Sequence, residues 1–202
     1  MRIAVIGSGN IGGTLSGRLA AAGQEVTVGV REGGARDGLD ERVSVASIGE
    51  AVAAADAVIV AIPGGQVPAF AGEHGAALAG SLVIDASNDL SGGDDGSLSH
   101  TAAWAELAPG AVVARAFSTL GFENYRDPTV AGQTATLFWC GPEGEHGDAV
   151  EAIVRAVGLE PVRIGGLEAA ATLDGMTRVW FQLVFTQKMG RHLAFKLLRD
   201  EG

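Results

Sequence analysis

The sequence is short of the residues that build extracellular scaffolds and membrane spans. Cysteine occurs once, at Cys140, so no internal disulfide can form and nothing points to an oxidising compartment. Phe, Tyr and Trp together make up 5% of 202 residues, and the only lysines are Lys188 and Lys196. The apolar stretch Val179 to Phe185 is interrupted by Gln182, and no apolar run comes near the roughly 20 residues that cross a bilayer. No charged leader with an apolar signal region precedes the first strand-like run, so the expectation is a cytoplasmic protein with no membrane partner. Basic residues are outnumbered 24 to 14, a formal net charge of −10, which leaves no basic face for nucleic acid. His74, His100, His146 and His192 lack metal-ligand spacing and have no cysteine beside them, so no metal is expected.

What is present suits a single domain over residues 1–202, with 47% hydrophobic and 19% charged residues able to form a sizeable core. Short β-branched runs alternate with alanine-rich segments, the rhythm of repeated β-α units. Strands are expected at 2–6, 26–30, 43–45, 57–62, 82–85, 111–116, 134–140 and 161–164. Helices are expected at about 10–22, 47–54, 65–79, 99–108, 143–157 and 167–198. The run from Ala57 to Ile62 shows no polar alternation, as expected of a strand buried on both faces of a parallel sheet. Ser47 and Glu50 have capping-box spacing, and Gly158 sits where the helix ending near Val157 needs a left-handed residue. Glu32 to Asp40 and Asn88 to Ser97 have too little apolar content to pack themselves and are expected to be mobile loops.

The strongest signal comes at the start. Arg2 to Ile6 reads as a strand, Gly7-Ser8-Gly9-Asn10-Ile11-Gly12 follows at once, and Ile11, Leu15, Leu19 and Ala22 then carry helical spacing. That order is the context a G-x-G-x-x-G match requires. Gly7 permits the tight turn, Gly9 lets backbone approach a pyrophosphate, and Gly12 lets helix pack on strand. The anion would rest on unpaired N–H groups at the helix N-terminus, so an acidic protein can still hold a nucleotide. The implied fold is α/β: a doubly wound, Rossmann-type, mostly parallel sheet with C-terminal helices packed on it.

The second strand ends Gly29-Val30-Arg31. An NAD site usually has Asp or Glu there, accepting from the ribose 2′-hydroxyl, whereas the fork of Arg31 suits a 2′-phosphate. NADP is therefore the expected cofactor, with Glu32 as the competing ribose ligand and Arg36 and Arg42 as lesser helpers. Ligands of such sheets bind over the strand ends. Three later loops qualify: Ala61-Ile62-Pro63 through Val67, Asp85-Ala86-Ser87-Asn88, and Phe117-Ser118-Thr119. Asp85 is read as a loop brace, Cys140 as a buried small side chain, and Trp104, Trp139 and Trp180 as core. Ser118 and Thr119 have no His-Asp helpers nearby, so nucleophilic catalysis is not expected.

These segments, together with Ala114-Arg115-Ala116-Phe117-Ser118-Thr119-Leu120-Gly121 and Met189-Gly190-Arg191, resemble the NADPH:coenzyme F420 oxidoreductase family over essentially the whole chain. More distantly they resemble the dinucleotide domains of pyrroline-5-carboxylate reductases. The resemblance implies hydride transfer between nicotinamide and a deazaflavin ring stacked in one cleft, with F420 as a second cofactor and no catalytic acid or base. It also implies that residues 167–199 pair in a homodimer, in keeping with the apolar stretch at 179–185. Two other functions fit the same residues: a reductase of a small imine or carbonyl, and a dinucleotide-sensing module without chemistry.

Overall fold

The computed structural model describes residues 1–32, 34, 38–91 and 97–200. Arg36 and the centres of the two loops expected to be mobile lie outside these. The chain opens with β1 (Arg2–Ile6), α1 (Asn10–Ala21), β2 (Glu25–Val30), β3 (Ser44–Ser47), α2 (Ile48–Ala54) and β4 (Ala57–Val60). A 3₁₀ turn (Gly64–Gln66) leads into α3 (Val67–His74), then β5 (Leu82–Asp85), α4 (Thr101–Leu107) and β6 (Val112–Arg115). These six strands form one parallel sheet in the order β3-β2-β1-β4-β5-β6. That is the doubly wound order, whose direction reverses between β1 and β4.

Alternation along the strands explains the two-sided core. Ile3, Val5, Ile59 and Ile84 pack with Leu15 and Leu19 of α1 on one face. Ala4, Ile6, Val58, Val60 and Val83 pack with Val52 of α2, Phe70 of α3 and Trp104 of α4 on the other. Every residue of β4 and β5 is buried, which is why these strands carry no polar alternation. The strand expected to run to Ile62 ends at Val60, with one more bond from Ala61 N to Ile6 O before the chain turns away. The Ser47–Glu50 capping box is present, with both reciprocal bonds made.

The second half adds α5 (Phe122–Arg126), the hairpin β7 (Thr129–Val130) and β8 (Gln133–Thr134), β9 (Thr136–Trp139), α6 (Gly144–Val157) and β10 (Glu160–Arg163). β9 and β10 pair in parallel, and a bridge between Arg115 and Cys140 ties β9 to the edge of the main sheet. Gly158 closes α6 at φ 101°, as its position required. Burial pushes the Cys140 thiol up to about 11, so it is an inert core group.

The terminal segment corrects the expected helix at 167–198. A 3₁₀ turn (Leu167–Ala169) leads into α7 (Ala170–Phe181), which widens into a π turn over Gln182–Thr186. Lys188 at φ 56° and Gly190 at φ 89° then break the helix. Beyond them the chain lies as an extended strap: Leu193 O accepts from the Trp180 indole at 2.8 Å, and Phe195 O accepts from Thr136 N at 2.9 Å. Leu193, Ala194 and Phe195 of the strap pack against the core, while Leu197 and Leu198 stay exposed.

Candidate functional site: a cradle at the topological switch point

The loop between β1 and α1 lies where the strand order reverses. Gly7 holds φ 105°, and a Cβ there would stand 2.6 Å from Ala61 O. A Cβ on Gly12 would stand 2.0 Å from Gly7 O, so helix and loop touch only because that position has no side chain. A Cβ on Gly9 would meet nothing within 4 Å, since this residue faces open space. Gly9 is the N-cap of α1, no side chain caps the helix, and its first turn holds no acidic residue. The first amides are therefore open toward that space, and the partial positive charge at the helix start is uncompensated. The donor set fits a pyrophosphate.

A cleft of about 930 Å³ runs from this loop toward the end of β2. Gly7, Ser8 and Gly9 form its floor, with Val30, Arg31 and Glu32 along one side and Ala61, Ile62 and Pro63 along the other. Arg31 is exposed, with no ion pair among the described residues, and so is free to meet a phosphate. Arg42 is not: its guanidinium holds both oxygens of Asp40 at 2.8 and 2.7 Å, and this bond draws the Asp40 carboxyl down to about 2. Glu32 lines the same cleft as Arg31.

On the other side of the glycine loop a smaller cavity of about 320 Å³ is walled by Asn10 and Ile11, by Ala61–Pro63, by Ala86, Ser87 and Asn88, and by Phe117 and Leu120. Four strand-end loops thus converge on it. Phe117 holds φ 58°, a strained conformation for a bulky side chain, and is fixed there by Tyr125, whose hydroxyl donates to Phe117 O at 2.6 Å. The two rings meet edge to face at 5.5 Å.

Four expected site residues line neither space. Ser118 and Thr119 are buried, with hydroxyl groups that have no hydrogen-bond partner among the described residues, and the Ser118 carbonyl accepts from Asn88. Val67 is fully buried as the first residue of α3 and belongs to the core. Gly12 supports the loop without lining either space. Asp85 is a brace: one oxygen accepts from Ser87 N and Oγ at 2.9 and 2.6 Å, and the other accepts from the Trp104 indole at 2.9 Å. His192 stands 2.9 Å from Asp127 O and lines neither space.

The sequence reading passed over Arg115 and Asp174. They form a buried ion pair at 2.7 Å, with side chains 1% and 2% exposed. The guanidinium also donates to Ser87 O and Asn88 Oδ1, each at 2.8 Å. The available signal was an arginine closing an otherwise apolar strand, since a charge there is kept buried only when paired.

Strand order, glycine turn and bare helix start together define the class: a dinucleotide-binding α/β protein of the oxidoreductase kind. Residues 2–89 match the family model for NADP oxidoreductase, coenzyme F420-dependent. A protein from Arthrobacter sp. FB24, provisionally named an F420-dependent NADP-reductase, is similar in structure with a TM-score of 0.84 and 25% identity, over 98% of this chain and 99% of that one. The hypothetical protein SMa0349 from Sinorhizobium meliloti superposes with a TM-score of 0.70 at 25% identity, over 99% and 96% of the two chains. Pyrroline carboxylate reductase from Plasmodium falciparum, solved with NADP, shares the fold at a TM-score of 0.62 and 11% identity, over 93% of this chain and 67% of that one. No curated protein matches the chain. Among the described residues no helix is long and apolar enough to cross a membrane, and no group of three His, Cys, Asp or Glu is placed to hold a metal.

Proposed function

We propose that the chain is a cytoplasmic NADP-dependent oxidoreductase that passes hydride between NADP(H) and a flat conjugated redox ring, coenzyme F420 or a cofactor like it. The observation that carries this reading is the wall of the smaller cavity. Backbone, aliphatic groups, one aromatic ring and neutral polar side chains surround it, and none of its lining side chains can ionise at neutral pH. Reducing a neutral carbonyl needs a proton delivered to its oxygen as the hydride arrives, and the one hydroxyl on this wall, that of Ser87, donates its hydrogen to Asp85. A deazaflavin takes the hydride into a conjugated ring that spreads the added charge and draws its balancing proton from solvent, so it asks the protein chiefly for position.

The dinucleotide, when bound, supplies the hydride. The chain's own part would be to hold the pyrophosphate on the amides of Gly9 to Gly12 and the 2′-phosphate on Arg31, with Pro63 and Phe117 among the residues that would receive the nicotinamide end. The exposed Val179, Phe185 and Met189 favour a homodimer in which this face meets that of a second copy. Mixing the protein with NADPH and F420 and following the deazaflavin absorbance tests the reading. Loss of that absorbance with NADPH consumption is expected; turnover of cyclic imines with F420 left untouched would replace it.

A further inference from the structure

Asn88 lines the smaller cavity, and its amide is oriented by two neighbours that each accept only one answer. The group 2.8 Å from Arg115 Nη2 must be the oxygen, because a guanidinium can only donate. The group 2.9 Å from Ser118 O must be the nitrogen, because a carbonyl can only accept. One N–H of Nδ2 is thereby used and the other remains. Arg115 is itself fixed. Asp174 Oδ1 accepts from its Nε and Nη2 at 3.0 and 2.7 Å, and Nη1 donates to Ser87 O. The second Asp174 oxygen accepts from Leu98 N, Ser99 N and Ser99 Oγ at 3.0 to 3.2 Å, so the carboxylate is saturated and pinned to the chain between β5 and α4.

We propose that Arg115, held by Asp174, is a positioning residue that fixes the Asn88 amide so that it offers a hydrogen-bond donor to the carboxamide oxygen at the nicotinamide end of the dinucleotide. The proposal rests on the dinucleotide reading above and names how one end of that ligand is recognised. Arg115 touches neither cavity and acts through Asn88 and the Ser87 carbonyl. A buried pair of this kind adds little net stability over an apolar pair of the same volume, so its use here is to set geometry.

The test compares two ligands by calorimetry on the full chain: NADP⁺, and 2′,5′-ADP, which has the adenosine half and no nicotinamide. Asn88→Ala and Arg115→Lys are each expected to weaken NADP⁺ about tenfold, the size of one hydrogen bond, and to leave 2′,5′-ADP unchanged. The double variant should be no weaker than Asn88→Ala alone, because Arg115 acts through that amide. Additive losses, or wild-type NADP⁺ affinity in Arg115→Lys, would overturn the proposal while leaving the dinucleotide reading intact. A general structural role would instead lower both ligands together. If Arg115→Lys does not fold, Arg115→Gln paired with Asp174→Asn takes its place, since that pair leaves no buried charge uncompensated. If the wild-type chain binds neither ligand, the dinucleotide reading and this proposal fall together.

Discussion

The hydroxyl of Tyr125 donates to the carbonyl of Phe117 at 2.6 Å, and through that bond a residue of α5 holds a strained backbone at the wall of the smaller cavity. The same hydrogen is shared with Leu120 O, 3.1 Å from the hydroxyl oxygen, and the Tyr125 ring is completely buried. One side chain thus closes the loop after β6 at both ends. Tyr125→Phe keeps the ring and removes both bonds, leaving two buried carbonyls unpaired. It should destabilise the fold by about 1–3 kcal/mol in urea denaturation and raise KM for the dinucleotide. Unchanged stability would mean that the loop carries its strain without help.

Gly9 and Gly12 belong to one loop but should fail in different ways. Gly9 has φ −72° and ψ −170°, which any residue adopts, and open space beyond its Cα. Gly9→Val should fold, melt near the wild-type temperature and lose dinucleotide binding, because the new methyl groups fill the approach to the helix amides. Gly12→Val should not give a stable protein, since its Cβ would lie inside the Gly7 carbonyl. Circular dichroism separates the two variants, and full binding by Gly9→Val would refute the placement of the pyrophosphate.

Arg31 and Glu32 face one cleft with opposite charge, so the choice between NADP and NAD is a contest between them. An exposed arginine without an ion pair gains a charge-assisted fork to a 2′-phosphate. Arg31→Ala should weaken NADPH by about 1.5–3 kcal/mol and leave NADH nearly unchanged. Glu32→Gln should act in the other direction, easing NADPH and weakening NADH. Equal losses for both cofactors in Arg31→Ala would place the phosphate elsewhere.

The parts of the site legible in the sequence were those with local causes. A strand, three spaced glycines and a helix are contiguous, so one turn geometry dictates their types. β4 announced itself because burial on both faces removes alternation. The rest depended on contacts far apart in the chain. Arg115 and Asp174 are separated by 59 residues, and nothing local marks them as partners. Leu193 and Phe195 sit at apolar positions that continue the pattern of α7, but left-handed residues at 188 and 190 change the direction of the chain, and periodicity does not register a single φ. Ser118 and Thr119 were misplaced for the same reason: their positions follow from the left-handed Phe117. The hairpin at 129–134 was missed because its strands are two residues each, held by Ala131 at φ 51° and Gly132 at φ 78°.

Asp85 directly precedes Ala86 of the cavity wall and holds the Ser87 hydroxyl, and its behaviour separates hydride transfer to a conjugated ring from reduction with a protein-borne proton. Both its oxygens are spent on Ser87 and Trp104. Asp85→Asn offers one acceptor where two were used, and its amide nitrogen must face a donor. The expected loss is about 1–3 kcal/mol of stability. Turnover, measured on the folded variant below its melting range, should stay within about twofold of wild type, and kcat for both proteins should be flat between about pH 6 and pH 9, because no group on the wall titrates there. A sigmoidal profile in the wild type that flattens in Asp85→Asn would make this carboxylate a proton donor. The smaller cavity would then be the site of an imine or carbonyl reductase.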